Sequence, residues 1–310
     1  MTVSFSPVSV LRIAKYAETA PLGGTVSGCL LGLDSEKGDM EVTNVFLHPA
    51  KGAADFQPQQ TGEEAAIAAG AEAAAANAAA SYQTEAVRLM KASNLDGNIV
   101  GWFQSSVLAS YVNETTVEIQ FDYQSQNPNS VLVIADASSS SSPIKALRLT
   151  EEYMAFHRTM RDRQSQGPAT LITGGPVTFN TGSMKVFEEV PIKVDLSVLD
   201  EAFLFENRAK LSVVESRAPV QQDAAAATVQ LLMECVEDLA IEKVRFAQLT
   251  AGKAPVGGAT RLRGEDELKR LQSANAIILL TENVRLLNEI VEATAKSNKT
   301  TCEVFDALRK

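Results

Sequence analysis

Ile99-Val100-Gly101-Trp102-Phe103-Gln104-Ser105-Ser106 is the stretch on which the fold turns. The stretch has the shape of a strand. On either side, Gly24 to Leu33 and Val131 to Ile134 are short apolar runs bounded by turn formers, as buried strands are. Between the first of these and Ile99 lies a helix candidate, Glu63 to Lys91, whose Ala65 to Ala80 part favours helix yet offers little bulk for a core. That part, near 63–80, reads as an insertion. Asp136 to Ser142 and the glycine- and proline-rich Arg163 to Gly182 read as loops. Val117, Ile119 and Phe121 alternate as a strand would, while Asn113 can cap a helix and Val117 and Phe121 also share one helical face, so the residues leave strand and helix both open there.

Beyond about residue 195 the pattern turns helical. Leu199, Ala202 and Phe203 repeat at spacings of three and four, and two long helices follow, divided by a breaker at Ala251 to Gly264. In the first, Val229, Leu232, Val236 and Leu239 form a heptad seam; in the second, Ile277, Leu280, Val284, Leu287 and Val291 do the same. The two helices can pair as a hairpin. Ile278, Leu279, Leu286 and Ile290 would then be left uncovered, which points to partner helices in a bundle. The expected organisation is thus a globular α/β domain over 1–195 and a helical extension over 196–310.

Composition narrows the function. With 310 residues, 45% of them hydrophobic, the chain can bury a sizeable core. No apolar h-region follows a basic start and no stretch approaches the length that spans a bilayer, so a cytoplasmic protein without membrane partners is expected. Cys29, Cys235 and Cys302 are widely spaced and odd in number, which suits a reducing compartment and small core or interface hydrophobes. Net charge is −10, from 28 Lys+Arg against 38 Asp+Glu, so the average surface repels a phosphate backbone and broad nucleic-acid binding is not expected. The mixed run His157 to Arg163 reads as a solvated face. His48 and His157 are the only histidines, His48 ends a strand in a structural role, and no G-x-S-x-G elbow, Walker loop or G-x-G-x-x-G stands in a strand-to-helix setting.

The stretch from Ile99 to Ser106 resembles the signature of the MPN family, whose active members are zinc isopeptidases reading V-G-W-Y-H-S-H-P, with S-x-x-D further on. In those enzymes two histidines and the aspartate hold zinc, a water fills the open position, and an upstream glutamate moves the proton. Carried over residue by residue, the histidines are matched by Gln104 and Ser106, the serine by Glu114 and the aspartate by Val117. Thr25-Val26-Ser27-Gly28-Cys29-Leu30-Leu31-Gly32 resembles the upstream E-V-M-G-L-M-L-G, with Thr25 at the glutamate. The resemblance implies an MPN fold, a mixed sheet flanked by helices, with a short helix through Val117 and Phe121 and with no catalytic residue, no metal and no cofactor; Val117 has no donor atom at all.

Val8 to Ile13 matches the family's opening and Asn129 to Ile134 a later core strand, so the resemblance spans nearly all of residues 3–195. Within the inactive members, Gly101 to Ser105, Ala146-Leu147-Arg148-Leu149-Thr150 and Phe187-Glu188-Glu189-Val190-Pro191-Ile192 look most like the MPN subunits of eukaryotic translation initiation factor 3, and Tyr82-Gln83-Thr84-Glu85 sits at the matching distance before Gly101. That resemblance implies a structural subunit paired with a second MPN subunit (subunit f), bundled with helical subunits, acting in mRNA recruitment and 43S assembly and touching the small ribosomal subunit indirectly. The alternatives are a scaffold subunit of the proteasome lid or signalosome, and, from another class, a zinc isopeptidase with displaced ligands.

Overall fold

Gly101 has no side chain because there is no room for one. In the computed structural model, a Cβ at Gly101 would stand 2.1 Å from the Val131 carbonyl oxygen, so only glycine lets these two strands close on each other. The structure describes residues 1–18, 25–34, 39–48, 81–106, 110–136, 144–166, 184–211, 220–251 and 260–309. The alanine-rich segment near 63–80 lies outside these, as do the serine-rich 137–143 and the glycine-rich 167–183.

The strands are β1 (Val3–Phe5), β2 (Ser27–Asp34), β3 (Met40–Leu47), β4 (Ile99–Ser106), β5 (Val131–Asp136), β6 (Ile144–Leu149), β7 (Phe187–Val190) and β8 (Ile192–Val194). They form one eight-stranded mixed sheet in the order β7-β6-β5-β4-β2-β3-β1-β8. β2 runs antiparallel to both β3 and β4, whereas β4 and β5 are parallel, with Gly101 opposite Val131. Central strands buried on both faces read as continuous apolar runs, which is why β4 and β5 are legible in the sequence. The helices are α1 (Pro7–Glu18), α2 (81–92), α3 (Glu114–Gln126), α4 (Glu151–Gln166), α5 (Val198–Leu211), α6 (Val220–Ala251) and α7 (Thr260–Arg309).

By packing, the chain falls into two compact units, neither continuous in sequence. One comprises Met1–Val107, Asp122–Arg148 and Glu189–Ala209; the other comprises Leu108–Phe121, Leu149–Glu188 and Lys210–Lys310. In the first, one sheet face carries Phe5, Leu30, Val42, Phe103 and Val133 together with Ile13 of α1. Cys29, Leu31 and Phe46 point to the opposite face, where Ala86, Val87 and Met90 of α2 cover them. In the second unit α6 and α7 pair along their lengths, and α4 packs on α7. Tyr153 of α4 donates its hydroxyl to Asn275 Oδ1 of α7 at 2.6 Å, and Asn283 Nδ2 donates to the Val112 carbonyl at 2.9 Å.

Two boundaries differ from expectation. α4 continues through Arg163 to Gln166, so the loop expected from Arg163 starts later: Arg158, Arg161 and Arg163 favour a helical last stretch, and Arg161 stacks over the Phe121 ring at 5.6 Å. α7 starts at Thr260, inside the breaker expected to reach Gly264, since one glycine costs a helix only about 1 kcal/mol. The helix over 114–126 forms as expected: Asn113 Oδ1 accepts the Thr116 amide at 2.8 Å, and Val117 and Phe121 turn into the interior.

Candidate functional site

In the first unit, the positions matched to the first histidine and the glutamate lie at one end of β2 and β4. Ser27 stands opposite Gln104 in the register, and Thr25 is an exposed residue two places before β2. Ser105 closes this end. Its Oγ accepts the Val26 amide at 2.8 Å while its own amide donates to the Val26 carbonyl at 2.7 Å. Gln104 and Ser106 are both buried. An amide and a hydroxyl in these places are neutral hydrogen-bonding groups, weak donors for zinc beside imidazole or carboxylate.

Across β2 from Gln104, a second polar row surrounds His48. Cys29 Sγ lies 3.0 Å from His48 Nε2 and 3.4 Å from the Tyr123 hydroxyl, and Ser27 Oγ lies 3.4 Å from His48 Nδ1. Trp102 stacks on Tyr123 with centroids 6.3 Å apart. Burial pushes the Cys29 thiol up to about 11, offset in part by its hydrogen bond to Tyr123. Burial, then the neighbouring Cys29, raises the Tyr123 phenol well above its ordinary value, and burial lowers His48. At neutral pH the row therefore holds a protonated thiol, a protonated phenol and an uncharged imidazole. It is a hydrogen-bonded packing element; a nucleophile would need the thiolate. Sequence alone assigns His48 a structural role and Cys29 a core one, and misses that the two meet, because residues 19 apart on adjacent strands share no local signal.

In the second unit, Glu114 is exposed as the first residue of α3, and Val117 is fully buried. A hydrocarbon in the interior cannot ligate an ion. Among the described residues, no group of three or more His, Cys, Asp and Glu side chains is placed to hold a metal. The residues at the family's zinc positions, Gln104, Ser106 and Val117, thus do not fit that ion.

The long helices carry the remaining candidate positions. Along α6, Thr228, Leu232, Cys235, Leu239, Glu242, Phe246 and Leu249 turn inward at spacings of four and three in alternation, with Leu231 half-buried beside them. Of the expected seam, Leu232 and Leu239 take part; Val229 and Val236 sit one residue out of phase and face outward. On α7, Ile277 and Leu287 are buried, with Leu280, Val284 and Val291 half-buried. Ile278 and Leu279, expected to be left uncovered by a hairpin, are buried, and Leu286 and Ile290 are half-buried. The hairpin has a third side within this chain, since α4 packs on α7.

Comparison with known proteins agrees with this geometry. Residues 1–129 match the JAB1/Mov34/MPN/PAD-1 ubiquitin protease family. The H subunit of eukaryotic translation initiation factor 3 from Arabidopsis thaliana is 31% identical over 257 residues, covering 79% of this chain and 66% of that protein. The chain belongs to this H-subunit family. The H subunit of Nematostella vectensis is 27% identical over 251 residues, 79% of this chain and 67% of that protein; that of Dictyostelium discoideum is 30% identical over 209 residues, 66% and 56%. The chain thus matches between about half and two thirds of the length of these H subunits. The fold is that of an MPN domain with C-terminal helices. Among the described residues no helix is long and apolar enough to cross a membrane.

Proposed function

We propose that this chain is a non-catalytic structural subunit of eukaryotic translation initiation factor 3, working in the cytoplasm. In this reading residues 1–195 form an MPN domain that pairs with a second MPN subunit, subunit f, and residues 196–310 form a tail that joins helical-bundle subunits. It supports mRNA recruitment and assembly of the 43S preinitiation complex on the small ribosomal subunit indirectly, by holding other subunits in place. The names of the H-subunit relatives support the assembly, and one observation carries the non-catalytic reading: Val117, where active MPN enzymes place their zinc-binding aspartate, is a fully buried hydrocarbon. Thr25, Gln104, Ser106 and Glu114 complete a set that offers neither the two imidazoles nor the upstream carboxylate that the hydrolysis needs.

Two measurements on the full chain test this. Affinity purification with mass spectrometry is expected to recover initiation factor 3 subunits; recovery of proteasome-lid or signalosome subunits in their place refutes it. Elemental analysis is expected to find no stoichiometric zinc, and one tightly held zinc per chain, lost in Gln104→Ala, would restore the isopeptidase reading.

A further inference from the structure

α6 is apolar on two sides, and α7 covers one of them. At roughly 100° per residue, the inward row of Thr228, Leu232, Cys235, Leu239, Glu242, Phe246 and Leu249 and the outward row of Val229, Met233, Val236, Ala240 and Val244 lie about 130° apart around the helix. The outward row also repeats at near-heptad spacing, four, three, four and four. Its large members are left open in this chain: Val229 is 44% exposed, Met233 60%, Val236 47% and Val244 58%. Two apolar stripes a third of a turn apart are what a helix carries when it has two helical neighbours in a bundle.

The flank of the outward stripe says what kind of helix fits. Gln230, Glu234 and Glu237 line one side, exposed, with the Gln230 amide donating to Glu234 at 3.2 Å. Burial, then Asp238 and Glu234, raise the Cys235 thiol above its ordinary value. A like-charged neighbour would be repelled along this edge and a basic one drawn to it.

We propose that the Val229, Met233, Val236 and Val244 face of α6 docks an amphipathic helix of another subunit whose apolar stripe is bordered by lysine or arginine on the side that meets Glu234 and Glu237. This rests on the reading of the chain as an assembly subunit and adds to it the face, the residues and the charge of the partner. It also separates two functions on one helix: the inward stripe folds the chain and the outward one joins it to the complex.

The test uses the full chain expressed with its complex. Met233→Asp with Val236→Asp changes exposed residues, so thermal unfolding of the purified chain should keep its midpoint while recovery of the subunit with the complex falls at least tenfold. Glu234→Lys with Glu237→Lys should weaken recovery roughly tenfold at low salt, with the difference shrinking as ionic strength rises. A photo-crosslinking amino acid placed at position 233 should capture a peptide with basic residues beside apolar heptads. Normal recovery of both double variants overturns the proposal and leaves the assembly reading standing, as does a crosslink to a second copy of this chain. A wild-type chain that brings down no initiation factor subunit overturns the assembly reading and this proposal with it.

Discussion

Single residues in the signature strand answer to steric and electrostatic limits that can be measured. Gly101→Ala pushes a methyl group into the Val131 carbonyl, and since both partners are central-strand backbone neither can give way cheaply. Overpacking of this kind costs about 1–3 kcal/mol, so urea unfolding of the variant should shift by that amount. His48 gives a pH signature with a definite sign. Its folded-state pKa is lowered by burial, so the folded chain binds fewer protons than the unfolded one, and the contribution to stability is complete above about pH 6.5 and lost as pH falls through the lowered value. The groups it meets, Cys29 and Ser27, carry no charge to offset this. Unfolding midpoints measured from pH 7.5 down to pH 5 should fall in the wild type, and His48→Asn should flatten the fall; equal slopes would show that His48 is not the group responsible. Sequence is informative where one side chain acts on near neighbours, as Asn113 caps α3, whereas the choice of helix over strand at Val117 rests on the family resemblance. The Cys29, His48 and Tyr123 cluster is not legible, since it is assembled by strand register and by a helix 94 residues beyond the cysteine.

Elements are easier to find than to orient. α6 and α7 stand where their heptads place them, but the expected seam of α6 runs through Val229 and Val236, whereas the row that faces α7 contains Thr228, Cys235 and Glu242. A helix with two apolar stripes gives periodicity twice, and nothing local tells which stripe its own hairpin partner takes. The covering of α7 by α4 is also out of reach of the sequence, for His157 to Arg163 reads as a solvated face, whereas His157 and Met160 are buried and Tyr153 bonds to Asn275 of α7. That contact is testable. Tyr153→Phe removes the donor and leaves the buried Asn275 Oδ1 unsatisfied, at a cost of about 1–3 kcal/mol. Adding Asn275→Leu to Tyr153→Phe removes both partners, and thermal unfolding should recover most of the loss; full additivity of the two substitutions would mean the hydrogen bond carries no coupling.

Across the full chain, the MPN resemblance is readable because long apolar strands set the fold, while the grouping of residues into packed units cuts across chain order. Leu149–Glu188 packs with the C-terminal helices and Glu189–Ala209 with the sheet, so the change of composition near residue 195 marks where helical pattern begins and does not by itself mark where packing divides. Net charge survives any such regrouping. At −10 it sets the sign of the mean field, and the basic residues Arg158, Arg161 and Arg163 that α4 gathers share their helix with Glu151, Glu152 and Asp162. A protein that neutralises several phosphates loses affinity steeply with salt, with a logarithmic slope of about 0.7 per phosphate on single strands. Fluorescence anisotropy of a labelled single-stranded RNA should therefore show no saturable binding by the isolated chain at physiological salt, while the assembled complex binds. In the proposed reading, any part in mRNA recruitment would then pass through other subunits. Binding by the chain alone with a slope of several phosphates would place an RNA surface on it, and the substitutions to try first would be Arg158→Ala and Arg163→Ala.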